Sequence, residues 1–451
     1  MCHLSERGHR TYLLIVTFIS FYLGTAWSLF PTAAPIFKET PFAVIWNAPT
    51  HVCQNLKIPL DFSVFQAVTT PASEPDQFLF LFYSNRLGLY PYTQTSTGKE
   101  FNGGIPQKGN LTASLTKAHN EIIQYIPEFT PGLAVIDWEE WRPLWARNWD
   151  SKNIYRKLSI QYAKENNPLL SSSEADSVAK QQFQNAARAY MEKNMQLGIK
   201  LRPNYLWGFY LFPDCYNYGW GSPKYTGECP EIEQTRNNEL LWLWESSTAL
   251  FPSAYLSFTL RKQPDAALFV RGMVKEAVRV SALPKSLYTT PIYVYLRPVF
   301  SDQNKVFLSE IDLVHTIGES AALGASGVVL WGASADYNND SSCKALASYL
   351  PSTLNPYVAN VTAAAKLCSQ TLCQGNGRCV RQNPDSADYL YLNPNNFSIQ
   401  QHGGKYVAVG VPSQNDLNLF VNRFTCQCYV GQVCYAQKII SVPKTPVVID
   451  V

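Results

Sequence analysis

Leu133-Ala-Val-Ile-Asp137-Trp-Glu139-Glu140-Trp141-Arg-Pro143 runs from four apolar residues straight into acids. The apolar run reads as a short buried strand. Polar residues just past the C-terminal end of such a strand are how α/β barrels and doubly wound sheets build active sites. A strand has a side-chain period of two, so Asp137 and Glu139 share one face while Trp138 and Glu140 take the other. Their Cα atoms would lie roughly 6.5–7 Å apart, near enough for the carboxyls to couple. Coupled carboxyls raise one pKa, which a general acid needs at mild pH. The same acids would also suit a helix start or surface ion pairs, and spacing leaves both readings open.

Outward from this stretch, strand-like and helix-like segments alternate. Phe42-Ala-Val-Ile-Trp46 and Phe78-Leu-Phe-Leu-Phe82 are short apolar runs. Leu111 to Ile126 reads as a helix stopped before Pro127. Ser171 and Glu174 have capping-box spacing, and the stripe Ala179, Phe183, Ala186, Tyr190 and Leu197 predicts a long helix ending near Leu201. Strands are expected at 206–211, 252–256, 292–295 and 327–330, with helices over 231–250, 269–281 and 309–323. Trp141, Trp145 and Trp149 recur every four residues and would line one face of a helix, as core or as a sugar platform. About seven strand–helix alternations across 42–332 argue for a parallel sheet, and the length favours a distorted (β/α) TIM-like barrel. Asp137, Glu139, Asp214, Tyr216, Tyr255, Asp302 and Trp331 all fall at or beyond strand C-termini, where a barrel would gather them into one cleft.

The net charge is +3, which argues against bulk nucleic-acid binding. There is no phosphate loop, nucleophile elbow or zinc-protease helix, and none of the six histidines joins a metal or triad constellation. Neither a metal nor a cofactor is therefore expected. Arg7, His9 and Arg10 precede an apolar run from Tyr12 to Leu23 and small residues at Gly24 and Ala26, the order of a secretory signal cleaved near Ala26 to Ser28. An uncleaved anchor is the rival reading. The C-terminal stretch Val442 to Val451 is too short and polar for a lipid-anchor signal, so membrane attachment is not expected.

Cysteine usage fits the secretory pathway. Removal of Cys2 with the signal leaves ten, an even count that implies disulfides of undetermined connectivity. Zinc is a weak alternative for the dense group, whose spacings lack paired Cys-x-x-Cys knuckles. Sequons start at Asn110, Asn339, Asn360 and Asn396. Cys373-Gln-Gly-Asn-Gly-Arg-Cys379 and Cys426-Gln-Cys428 look like an epidermal-growth-factor-type module with a long insertion, whose small core would rely on disulfides. The expected organisation is a signal at 1–28, a catalytic (β/α) barrel at 29–365, an EGF-like cysteine-rich module at 366–440 and a tail at 441–451.

These residues carry a resemblance. Ala134 to Pro143, Ala146-Arg-Asn-Trp149, Leu206-Trp-Gly-Phe-Tyr210, Pro213-Asp-Cys-Tyr-Asn217, Pro252-Ser-Ala-Tyr255 and Gly318 to Gly327 with Leu330-Trp-Gly332 are similar to the animal hyaluronidase family of glycoside hydrolases. Phe101-Asn-Gly-Gly-Ile-Pro-Gln107, Leu354-Asn-Pro-Tyr357 and Cys428-Tyr-Val-Gly-Gln-Val-Cys434 resemble its sperm-type branch. The resemblance implies an endo-β-N-acetylhexosaminidase acting on hyaluronan, with chondroitin as a slower substrate. Glu139 would be the general acid and then base, and Asp137 would hold the substrate acetamido group, whose own oxygen is the nucleophile. Tyr255 would orient that group, with Tyr216, Asp302 and Trp331 as further cleft residues. Implied disulfides are Cys53–Cys343, Cys215–Cys229, Cys368–Cys379, Cys373–Cys426 and Cys428–Cys434.

Arg142, Arg147 and Arg202 could pair with substrate glucuronates, although ordinary ion pairs are the commoner fate. A secreted, acrosomal or cell-surface monomer is expected. The competing class is a hyaluronan-binding adhesion protein with little catalysis, which would keep an aromatic cleft but could dispense with Glu139.

Overall fold

The structure is a computed structural model, described here for residues 29–451. The expected signal at 1–28 lies outside the described residues. The body is α/β. Its parallel strands are β1 (Ala43–Asn47), β2 (Ala67–Thr69), β3 (Leu79–Tyr83), β4 (Gly132–Asp137), β5 (Tyr205–Phe209), β6 (Tyr293–Leu296) and β7 (Gly327–Trp331). One sheet has the order β2-β1-β7-β6 and the other β3-β4-β5. The segment 250–253 joins them through single parallel bridges: Phe251 to Tyr210, and Leu250 and Ser253 to Ile292 and Tyr295. This segment overlaps the strand expected at 252–256 but is too short for a ladder. It approaches β5 closely because residue 208 is glycine: a Cβ there would lie 2.2 Å from the Ala249 carbonyl oxygen.

Helices alternate with the strands as the apolar periodicity predicts. Leu111–Tyr125 is capped by the Asn110 side chain, which accepts from the Ala113 N–H at 3.0 Å. Ser172–Leu201 starts on the Ser171/Glu174 capping box. Two sequence expectations change. The span 231–250 breaks into Glu231–Glu239 and Leu241–Ser246. Trp141, Trp145 and Trp149 lie on turns and short 3-10 segments, not a helix face. Pro143 blocks a helix there, and the Asn148 side chain caps the carbonyls of Arg142 (2.8 Å) and Leu144 (3.0 Å). Trp141 and Trp145 are buried, and Trp149 is half-buried.

Side-chain alternation divides the core. Ile45, Leu79, Leu81, Leu133, Val135, Tyr293, Tyr295 and Val329 form one cluster on the inner strand face. Tyr83, Tyr210, Tyr255 and Trp331 pack on that cluster from its partly open side. The larger cluster fills the space between the strands and the helices.

Beyond residue 366 the chain is cysteine-dense but does not separate cleanly. The expected boundary at 365/366 falls inside the helix Asn355–Leu372. The expected tail contributes the strand Val447–Asp450, which pairs with Lys405–Gly410. Among the described residues four disulfides are formed: Cys53–Cys343, Cys368–Cys379, Cys373–Cys426 and Cys428–Cys434. The implied fifth is not. Cys215 and Cys229 are buried free thiols, with Cys229 Sγ directed at the Cys215 carbonyl oxygen 3.6 Å away. The cysteine-rich part is tied to the body by the 2.7 Å ion pair from Arg381 to fully buried Glu319 and by Arg271, whose Nη1 donates to Asp385 O at 2.7 Å.

Candidate active site

In β3, β4 and β7 every residue but the last is buried, and the last opens to solvent: Tyr83, Asp137 and Trp331. Parallel register sets them side by side. Tyr83 is opposite Asp137, and Trp331 donates from Nε1 to the Tyr83 hydroxyl at 3.3 Å. Tyr83 and Tyr210 are site residues that sequence reasoning missed. Tyr83 ends an apolar run just as Asp137 does, and that shared position was the available signal.

Asp137 is half-buried and hydrogen-bonds Glu139, whose side chain is 48% exposed. Burial, then the adjacent Glu139 charge and that hydrogen bond, push the Asp137 carboxyl well above the usual carboxylate range. Two cations hold the Glu139 backbone: Arg142 Nη1 and Lys152 Nζ donate to its carbonyl oxygen at 2.8 and 2.6 Å. Arg142 Nη2 also lies 3.6 Å from Glu139 Oε2. Trp138 points to the opposite face, against Tyr90 and Phe209, as the period of two requires.

Aromatic rings wall this pair. Tyr255 and Trp331 stack at 5.9 Å with their planes 11° apart. The Arg297 guanidinium lies 6.0 Å from the Tyr255 ring and 5.5 Å from that of Trp331. Arg297 is itself held by Asp336 Oδ2 at 2.6 Å. Tyr210 donates to Ser253 Oγ at 3.1 Å, and its ring centroid lies 6.3 Å from that of Tyr255. Burial pushes the Tyr255 phenol well above its ordinary value, so it stays a neutral hydrogen-bonding group.

Tyr216 takes a left-handed backbone (φ 49°), fixed by its N–H donating to Asp214 Oδ1 at 3.0 Å, and its phenol meets Arg142. Asp302 is placed differently from the other expected cleft residues. It sits on an exposed hairpin turn, and Ser257 Oγ (2.8 Å) and the Phe258 N–H (2.7 Å) occupy both its oxygens. It therefore clamps the segment leaving Tyr255. Of the three arginines considered for glucuronate pairing, Arg147 is buried against Glu233 and Arg202 is spent on the carbonyls of Ile126 and Leu201. Arg142 alone among them stands beside Glu139.

Of the sequon asparagines, Asn110 and Asn339 are exposed. Asn360 and Asn396 are half-buried, their amides donating to Leu392 O at 3.0 Å and to Asp416.

A carboxyl pair with divergent environments, set among stacked rings at strand ends, is the cleft of a glycoside hydrolase. Comparison with known proteins agrees. The sequence model of the hyaluronidase family matches residues 31–438. Hyaluronidase-5 of Mus musculus is 48% identical over 435 residues, 96% of this chain and 82% of that protein. Hyaluronidase PH-20 of Homo sapiens is 47% identical over 405 residues, 89% of this chain and 79% of that protein. The crystal structure of bee venom hyaluronidase in complex with a hyaluronic acid tetramer superposes with a TM-score of 0.63 at 30% identity, over 70% of this chain and 98% of that one. The chain belongs to the hyaluronidase family.

Proposed function

We propose that this chain cleaves hyaluronan internally, at β-1,4 bonds from N-acetylglucosamine to glucuronate, with retention and with the substrate acetamido group as nucleophile. Glu139 gives its proton to the leaving glycosidic oxygen while the acetamido oxygen attacks C1. The resulting carboxylate then takes a proton from the water that opens the cyclic intermediate at C1, restoring the acid. Asp137 holds the acetamido N–H, Tyr255 orients the same group, and Trp331 and Tyr216 bound the sugar. The observation that carries this reading is the position of the acids. Asp137 and Glu139 lie together on one strand end. The other acids expected at strand C-termini, Asp214 and Asp302, have oxygens taken by backbone N–H groups, so neither is free to act as the opposing nucleophile. The hyaluronic acid tetramer in the bee venom structure supports the choice of polymer.

The strand order, with 250–253 bridging the two sheets, suits a distorted (β/α) barrel, and the cysteine-rich part suits an EGF-like module. Secretion with glycans on Asn110 and Asn339 fits their exposure. Among the described residues no helix is long and apolar enough to cross a membrane. Chondroitin is proposed as a slower substrate. Incubation of the secreted protein with hyaluronan over a range of pH should give shrinking polymer, new reducing ends and saturated even-numbered oligosaccharides. Binding without cleavage at every pH would instead favour the adhesion reading.

A further inference from the structure

Tyr216 is also the inner end of a file of aromatic rings that leads away from the carboxyl pair. Its ring meets Trp149 edge-on at 5.0 Å and Tyr218 at 6.3 Å. Tyr218 meets Trp220 edge-on at 5.6 Å. Both rest on Phe269 of the helix Pro264–Ser281, at 5.9 and 5.4 Å. Phe269 is 1% exposed, so the file is footed on the core.

The loop that carries it is pinned. Buried Asn217 donates from Nδ2 to Gly227 O at 2.6 Å and Phe269 O at 3.0 Å. The Tyr225 hydroxyl donates to Asn217 O at 2.8 Å. Yet Tyr218 is 56% exposed. Scattered exposed apolar side chains are ordinary. This one is a rigid ring, braced by Trp220 and Phe269 and joined to the cleft through Tyr216. Cations accompany the file: Arg236 lies 5.7 Å over Trp149, and Arg142 beside Tyr216. Flat rings suit the C–H face of a hexosamine, and guanidinium groups suit the uronate between hexosamines.

We infer that Tyr218, braced by Trp220, forms a distal saccharide subsite that binds a sugar of the same hyaluronan chain beyond the reacting unit. This rests on the hyaluronidase reading. The test is kcat and KM of parent, Tyr218→Ala and Tyr218→Phe on hyaluronan oligosaccharides of increasing length and on polymer. For the parent, kcat/KM climbs with length as the distal subsite fills. For Tyr218→Ala the climb flattens, with KM for polymer about three- to ten-fold higher and kcat changed much less. Tyr218→Phe, which keeps the ring, restores the climb. The same length dependence in Tyr218→Ala and parent overturns the subsite alone. A parent that cleaves no length overturns the hyaluronidase reading and the subsite with it.

Discussion

The Asp137 carboxyl hydrogen-bonds that of Glu139 from a far drier position, half-buried at the end of its strand while Glu139 faces solvent. Burial and the adjacent Glu139 charge hold the Asp137 proton to higher pH than an ordinary carboxyl. Hydrolysis is predicted to fall as pH rises through this raised Asp137 titration. Asp137→Asn cannot titrate, so that alkaline limb should vanish from the kcat profile. An alkaline limb that stays in place would separate Asp137 from the titration.

The same shift has a stability consequence. The folded protein holds the Asp137 proton above the pH at which the unfolded chain releases it. Between the two pKa values the folded state binds more protons, so stability falls as pH rises through that window. Asp137→Asn should therefore melt higher than the parent at neutral pH and lose most of that gain in acid. Calorimetry at both pH values checks the sign.

Arg297 spans Tyr255 and Trp331 and is held by Asp336. Arg297→Met should let the two rings drift. We expect kcat to drop roughly ten- to a hundred-fold by misplacement of the acetamido group, with partial recovery in Arg297→Lys. Equal kcat in parent and Arg297→Met would reduce the residue to packing.

Glu319 accepts from Arg271 and Arg381 with no exposure of its own. Glu319→Gln leaves two guanidinium groups underpaired and should cost about 3–5 kcal/mol in denaturant unfolding. Activity per folded molecule should be little changed, because none of the three touches the cleft residues named above.

Much of this was legible in the sequence, and the gaps have physical causes. The run ending in Asp137 revealed its strand because burial and period two leave a clear pattern. The tryptophans at 141, 145 and 149 imitated a helix face, but Pro143 and the Asn148 cap decide the backbone there. Tyr83 carried only its place at a strand end and Arg297 no signal at all, because the parallel register is what brings them to Asp137 and Trp331. Asp302 looked like a cleft acid by position, whereas its oxygens serve the turn at Ser257 and Phe258. The strand Val447–Asp450 was missed because its pairing partner lies far back in the chain.

The most direct test of the account is Glu139→Gln, assayed for hyaluronan cleavage and hyaluronan binding on one sample. The substitution keeps the shape and removes the transferable proton. Cleavage should fall by about a hundred- to ten-thousand-fold or more while polymer binding stays near that of the parent. Depolymerisation at the parent rate would contradict the assignment of Glu139 as the acid.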